Sequence, residues 1–126
     1  MAGIARFSLV ALDCRDPRRL AEFYAALTGW EVRPYEPTDD WIELRSAGGA
    51  TIAFQEVADH EPPVWPGSEH PQQLHLDFDV DDLDVGEREA LAIGARKADF
   101  QPGTTFRVFF DPLVAVVEIG PQGFRI

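Results

Sequence analysis

The stretch Pro71–Asp84, reading PQQLHLDFDVDDLD, decides how the rest of this chain is read. Leu74, Leu76, Phe78 and Val80 alternate with His75, Asp77 and Asp79. That is the period of two of a strand with one apolar and one polar face. A single histidine lies on the polar face. Asp82–Leu83–Asp84 then leads into a helical run, with Asp84 as the expected N-cap and Glu87 three residues later as in a capping box. The run reaches about Ile93 and stops at Gly94.

The same pattern occurs once before. Phe7 to Asp13 alternates, with Leu9, Ala11 and Asp13 on one face and Ser8, Val10 and Leu12 on the other. Asp16 offers a capping carboxylate and Pro17 suits the first helical position. Leu20, Phe23, Tyr24 and Leu27 form an apolar helical stripe that ends at Gly29. Leu9 precedes Asp16 by the seven residues that separate His75 from Asp82, and one offset of 66 also sets Asp13 opposite Asp79. Repetition of this kind sets the fold. Further strands are expected at Trp30–Tyr35, Trp41–Arg45 and Ala50–Val57, then at Ala95–Asp99, Phe106–Phe110 and Val114–Gly120. Ala58–Pro71 contains Pro62, Pro63, Pro66 and Pro71 and is expected to be an irregular linker, ordered if Trp65 is buried. The expected fold is α+β. Two tandem βαβββ modules, about 5–57 and 72–120, are joined by a linker at about 58–71. They form a single domain over 1–126, an open barrel with a cleft.

The 126 residues are 45% hydrophobic, enough for a core, and carry a net charge of −11. Such a charge argues against nucleic-acid binding, which needs basic groups on phosphates, and favours cationic ligands. Cys14 is the only cysteine, so no internal disulfide or cysteine zinc cluster can form, which suits a reducing cytoplasm. Met1–Arg6 lacks the apolar core of a signal peptide, and no apolar run approaches the ~18 residues of a membrane span. A cytoplasmic location away from membranes is expected. No glycine-rich phosphate loop and no nucleophile elbow is present.

Asp13–Cys14–Arg15–Asp16–Pro17 with Phe23–Tyr24, Pro62–Pro63–Val64–Trp65–Pro66, Pro71–Asp77 and Val80–Asp84 together carry a family likeness. Gly94–Ala95, Gln101–Pro102, Phe106–Arg107–Val108 and Asp111–Pro112 extend it over Phe7 to Ile119. The chain resembles the vicinal oxygen chelate superfamily of glyoxalase I, bleomycin-resistance proteins and extradiol dioxygenases. Within it, the short glyoxalase-like domain proteins common in actinobacteria are the nearer match. The resemblance implies paired βαβββ modules and one divalent metal ion, zinc, nickel, manganese or iron. Its ligands are a His from the first strand and a Glu from the last strand of each module. His75 and Glu118 occupy these positions in the second half. Leu9 occupies the first-half His position and cannot bind metal, and the first-half Glu position maps near Gln55 or Glu56. After Asp111–Pro112 the narrower family usually continues Gly–His–Pro–Phe–Cys, whereas here the chain reads Leu113–Glu118.

The candidate metal ligands are therefore His75, Glu118, Gln55 and Glu56, and the candidate catalytic pair is Glu118 with His75. Asp77 shares the His75 face and is expected to meet Arg107 or Arg45 from a neighbouring strand. Trp41 and Phe109 are the expected cleft-wall aromatics, so Trp41, Phe109, Asp77 and Arg107 form the candidate ligand-binding set. Three functions remain open. The first is a metal-assisted lyase, isomerase or dioxygenase of glyoxalase type acting on a small molecule. The second is a metal-independent protein that sequesters a cationic ligand or antibiotic, as bleomycin-resistance proteins do. The third is a sensor or accessory module without chemistry. Exposed edge strands and the family habit imply a homodimer.

Overall fold

The computed structural model describes residues 3–113 and 115–121. The chain divides into two units, one ending at His60 and the other beginning at Glu61. Val114, the expected start of the last strand, lies outside the described residues. Among the described residues no helix is long and apolar enough to cross a membrane.

The first unit runs β1 (Val10–Cys14), α1 (Pro17–Thr28), β2 (Glu31–Val32), β3 (Trp41–Arg45) and β4 (Thr51–Glu56). Its sheet order is β1-β4-β3-β2, with β1 parallel to β4 and the other pairs antiparallel. Asp16 caps α1 by accepting the Arg19 amide at 3.1 Å, and Pro17 fills the first helical position. Gly29 ends the helix at φ 76°, a conformation that favours glycine because it has no Cβ. The buried stripe Leu20, Phe23 and Tyr24 packs on the sheet, where the Tyr24 ring stacks on Phe54 at 5.6 Å. Leu20, Tyr24, Leu44 and Phe54 are at most 2% exposed, and each such apolar side chain contributes about 1.5–3 kcal/mol. Pro34 and Pro37 hold β2 to two residues, shorter than the expected strand, because proline cannot donate to a ladder.

The second unit repeats the order with β5 (Leu76–Val80), α2 (Leu83–Ala92), β6 (Arg96–Lys97), β7 (Arg107–Phe110) and β8 (Val116–Pro121). Its sheet order is β5-β8-β7-β6, again with the outer pair β5 and β8 parallel. The α+β class and both βαβββ modules thus form as expected. Gly86 lets α2 lie close on the sheet, since a Cβ there would stand 3.1 Å from Val80 Cγ1 and 3.3 Å from Ile119 Cδ1. The helix cap is corrected. Asp82, not Asp84, caps α2, accepting the Val85 amide at 3.0 Å from an extended backbone. Asp84 lies inside the first turn and binds Arg107 at 2.8 Å, while Glu87 binds Lys97 and Arg107 instead of reaching back to a cap amide. The proline-rich segment after Glu61 is anchored by Trp65, whose ring lies 5.6 Å from Phe100 and 6.3 Å from Phe110. Those contacts join it to a core of Ala98, Val108, Phe110 and Val116.

Candidate functional site

The site grows from the register of the second sheet. β5 pairs Asp77 with Glu118, and β7 pairs Val108 with Glu118. Side chains alternate between faces along each strand. Val80 and Ile119 meet α2, so Glu118, Asp77 and His75 project from the opposite face. His75 precedes β5 by one residue, and Asp77 follows it two positions later on the same side. The three side chains converge, with ligand atoms within 4.8 Å of one another. His75 Nδ1 stands 2.6 Å from Asp77 Oδ1 and 3.1 Å from Glu118 Oε2.

The two carboxylates differ sharply in surroundings. The Asp77 side chain is 46% exposed, whereas the Glu118 side chain is 7% exposed. Glu118 Oε1 is buried with no hydrogen-bond partner. Burial pushes the Glu118 carboxyl above the usual carboxylate range; the facing His75 opposes that shift and the Asp77 charge adds to it. A buried carboxyl beside an imidazole can exchange a proton with a bound molecule or accept a cation. Nitrogen and carboxylate oxygens in one cluster are also the donors that divalent zinc, nickel and manganese take. The orphaned Glu118 oxygen fits such an ion, because a buried acceptor without a partner is costly unless something binds it.

The other sequence candidates fall elsewhere. Arg107 lies on the α2 face, bonded to the Leu83 carbonyl at 3.1 Å, to Asp84 at 2.8 Å and to Glu87 at 3.3 Å. The expected pairing of Asp77 with Arg107 or Arg45 is therefore corrected: Asp77 meets His75, and Arg45 pairs with Glu43 at 2.9 Å. Arg107 reaches the carboxylates of α2, which packs on its face of the sheet, and Arg45 reaches the carboxylate two residues away on its own strand. Phe109 shares the Arg107 face by alternation and is 1% exposed, so it packs towards α2 and is not on the His75 face. Trp41 stays 36% exposed and donates its indole N–H to Glu43 at 3.0 Å. That bond, with Arg45 beside it, holds the Glu43 carboxyl below its ordinary range.

Gln55 and Glu56 end β4 in the first unit. The register changes their meaning. Asp16 and Asp82 cap equivalent helices, so β1 and β5 align with the offset of 66 and Ala11 stands for Asp77. β1 pairs Ala11 with Ala53, as β5 pairs Asp77 with Glu118. The counterparts of His75, Asp77 and Glu118 are thus Leu9, Ala11 and Ala53. Gln55 pairs with Asp13, and Glu56 with Cys14, two and three rungs past Ala53, the rung that corresponds to Glu118. By register, then, neither Gln55 nor Glu56 stands on the rung equivalent to Glu118. Among the described residues, His75, Asp77 and Glu118 form the one group of three His, Cys, Asp or Glu side chains able to share an ion. Asp77 was legible as a face-mate of His75, but its 2.6 Å contact was not.

Two βαβββ modules of this order are the fold of the vicinal oxygen chelate superfamily. The chain belongs to the Glyoxalase-like domain family, whose sequence model matches residues 9–114. No curated protein sequence matches it significantly. Among solved structures it is similar to a glyoxalase/bleomycin resistance protein/dioxygenase family enzyme from Burkholderia phytofirmans PsJN, with a TM-score of 0.67 and 22% identity over 90% of this chain and 96% of that one. It is also similar to the fosfomycin resistance protein FosX from Listeria monocytogenes, with a TM-score of 0.71 and 15% identity over 98% and 96% of the two chains. A third is a glyoxylase/bleomycin resistance protein/dioxygenase domain from Frankia sp. EAN1pec, with a TM-score of 0.61 and 22% identity over 97% and 96%. These likenesses concern the fold.

Proposed function

We propose that this protein binds a small molecule at the His75–Glu118 pair and that the same residues hold a divalent metal ion. One observation carries the reading: Glu118 is buried, has one oxygen without a partner, and faces an imidazole. His75 and Glu118 would hold the ion, with Asp77 beside them, and the ion would polarise an oxygen of the bound molecule. Glu118 supplies the proton acceptor or donor, its carboxyl raised by burial towards neutrality. The glyoxalase, dioxygenase and fosfomycin-resistance names of the structural neighbours suit metal-assisted lyase, isomerase or dioxygenase chemistry on a small substrate. Calorimetric titration with nickel, zinc or manganese tests this. One site per chain is expected, with affinity falling more than about 100-fold in Glu118→Gln, since even outer partners of a ligand contribute 10–100-fold. No heat and no thermal shift with any of the three ions would end the metal reading.

A second reading is supported by the first module, where Leu9, Ala11 and Ala53 supply no ligand. There the two carboxylates and the net charge of −11 serve a cationic ligand without metal, as in an antibiotic-binding, bleomycin-resistance-like protein. Bleomycin binding that survives a chelator would select it. We further infer a cytoplasmic homodimer, because β1 and β2 end one sheet and β5 and β6 end the other, leaving strands that invite pairing. A monomer mass by light scattering at micromolar concentration would refute the dimer.

A further inference from the structure

We infer that Trp65 and Phe106 form an apolar wall beside the His75–Glu118 site and set its specificity. The wall selects small molecules that carry a flat ring next to the polar group that Glu118 meets. The inference rests on the reading of Glu118 as a ligand-meeting group, and it is the same with or without a metal ion. Its ground is the makeup of one sheet face. Residues paired across a ladder share a face. Asp77, Glu118 and Val108 therefore stand side by side on β5, β8 and β7. Val116 and Phe110 stand side by side one step further along β8 and β7. The face changes character at Glu118, with carboxylates and imidazole towards β5 and apolar side chains towards β7.

The apolar half is closed. Val108, Val116 and Phe110 are buried, and Trp65 and Phe106 pack against them while staying only partly buried themselves. Phe106 is braced by Gly103, where a Cβ would overlap its ring. Neighbouring strands lie about 4.8 Å apart, and a two-residue step along a strand is about 6.8 Å. The side chains that Trp65 and Phe106 cover are thus one spacing or one step from Glu118, an interval that a single fused ring spans.

The other half is open. β5 ends its sheet, and the His75 and Asp77 side chains are 32% and 46% exposed. Charge runs in the same direction. Arg96 pairs with Phe110 and lies over its ring at 4.7 Å, at the β6 side of the face and away from Asp77 and Glu118. A cationic group is drawn to the carboxylates and repelled from the Arg96 end. That leaves the uncharged part of the molecule against the wall. A flat ring gives this part a large contact area and meets other rings favourably in edge-on or offset geometry.

Two probes with one kind of head group separate the wall from the carboxylates: methylammonium and naphthylmethylammonium. Each is titrated above neutral pH in chelator-containing buffer and followed by nitrogen-15 NMR of the backbone and indole N–H groups. The indoles report by position, because the chain has only Trp30, Trp41 and Trp65. The naphthyl probe is expected to shift the Trp65 indole and leave the other two in place. It should bind at least about tenfold more tightly than methylammonium. Trp65→Ala should cut that preference at least about fivefold, with Trp65→Phe between it and wild type. Glu118→Gln should weaken both probes alike and keep the preference. A Trp65 indole that stays in place while the probe binds wild type overturns the inference. So does an undiminished preference in whichever of Trp65→Ala and Trp65→Phe folds. In either case, weakening by Glu118→Gln leaves the reading of Glu118 standing. No binding of the naphthyl probe at millimolar concentration also overturns the wall, and zinc binding that persists there keeps the metal reading. If Glu118→Gln binds both probes as wild type does, the reading of Glu118 falls and the inference with it.

Discussion

Replacing Glu118 with glutamine removes a titrating group while keeping its outline, and the pH dependence of the result can be worked from the structure. The wild-type Glu118 side chain is 7% exposed with an unpartnered oxygen, and burial raises its pKa above the ordinary carboxylate value. The folded chain thus holds this proton more tightly than the unfolded chain, where the group titrates near about 4.3. The stabilisation is fully present below that value and is lost as pH rises through the raised folded value. Glutamine has no such loss. The stability of Glu118→Gln relative to wild type should therefore be constant at low pH, widen in favour of the variant by up to ~1.4 kcal/mol per pH unit between the two pKa values, and level off above them. His75 and Asp77 are the charged groups facing Glu118; the first opposes the rise and the second adds to it, so their sum leaves the direction unchanged. Urea unfolding from pH 4 to pH 9 in chelator-containing buffer gives the comparison, provided both proteins share one m-value. A difference that is flat across the range, or that shrinks as pH rises, would refute burial as the dominant influence on this carboxyl.

Other substitutions separate fold from site. Arg107→Ala removes the bonds from β7 to Leu83, Asp84 and Glu87 and should lower stability by about 1–2 kcal/mol in urea, the exposed Asp84 contact contributing least. Zinc affinity should not change, because Arg107 lies on the α2 face; a tenfold loss would return it to the site. Asp16→Ala and Asp82→Ala each remove a helix cap and should each lower stability by about 1 kcal/mol, whereas a neutral Asp82→Ala would contradict the corrected cap of α2. Gln55→Ala and Glu56→Ala should leave zinc binding by calorimetry as in wild type, and clear weakening in either would restore that residue as a ligand.

What the sequence made legible follows the range of each interaction. Alternation and the 66-residue offset are local or repeated, and they carried the two modules, the Asp16 cap and the His75 face. The α2 cap was misread because Asp82 and Asp84 are chemically alike and Glu87 completes a capping pattern with Asp84. Arg107, distant in sequence, recruits both Asp84 and Glu87, and no local pattern encodes that. His75 and Glu118 were found through family likeness, whereas their approach to 3.1 Å depends on β5 lying parallel to β8. The first-half rung equivalent to Glu118 is hidden from the sequence for the same reason. The first strands of the modules are offset by 66 residues and the paired last strands by 65, from Ala53 to Glu118, and only the parallel register shows where the residue is lost.

That register turns the first module into a control for the second. Both modules place a β4-type or β8-type residue deep in the sheet at the same rung, Ala53 at 0% exposure and Glu118 at 5%. Beside Ala53 stands Ala11, and beside Glu118 stands Asp77. The first module shows that a βαβββ sheet needs no charge at this rung, since alanines satisfy it. An ionisable carboxyl there, with one oxygen unpartnered and a second carboxylate nearby, carries a desolvation cost and a repulsion that the facing His75 offsets only in part. Residues that oppose the fold in this way concentrate where a protein binds or reacts. The contrast between Ala53 and Glu118 therefore argues for a working site in the second module more strongly than family likeness does, because it compares one fold with itself.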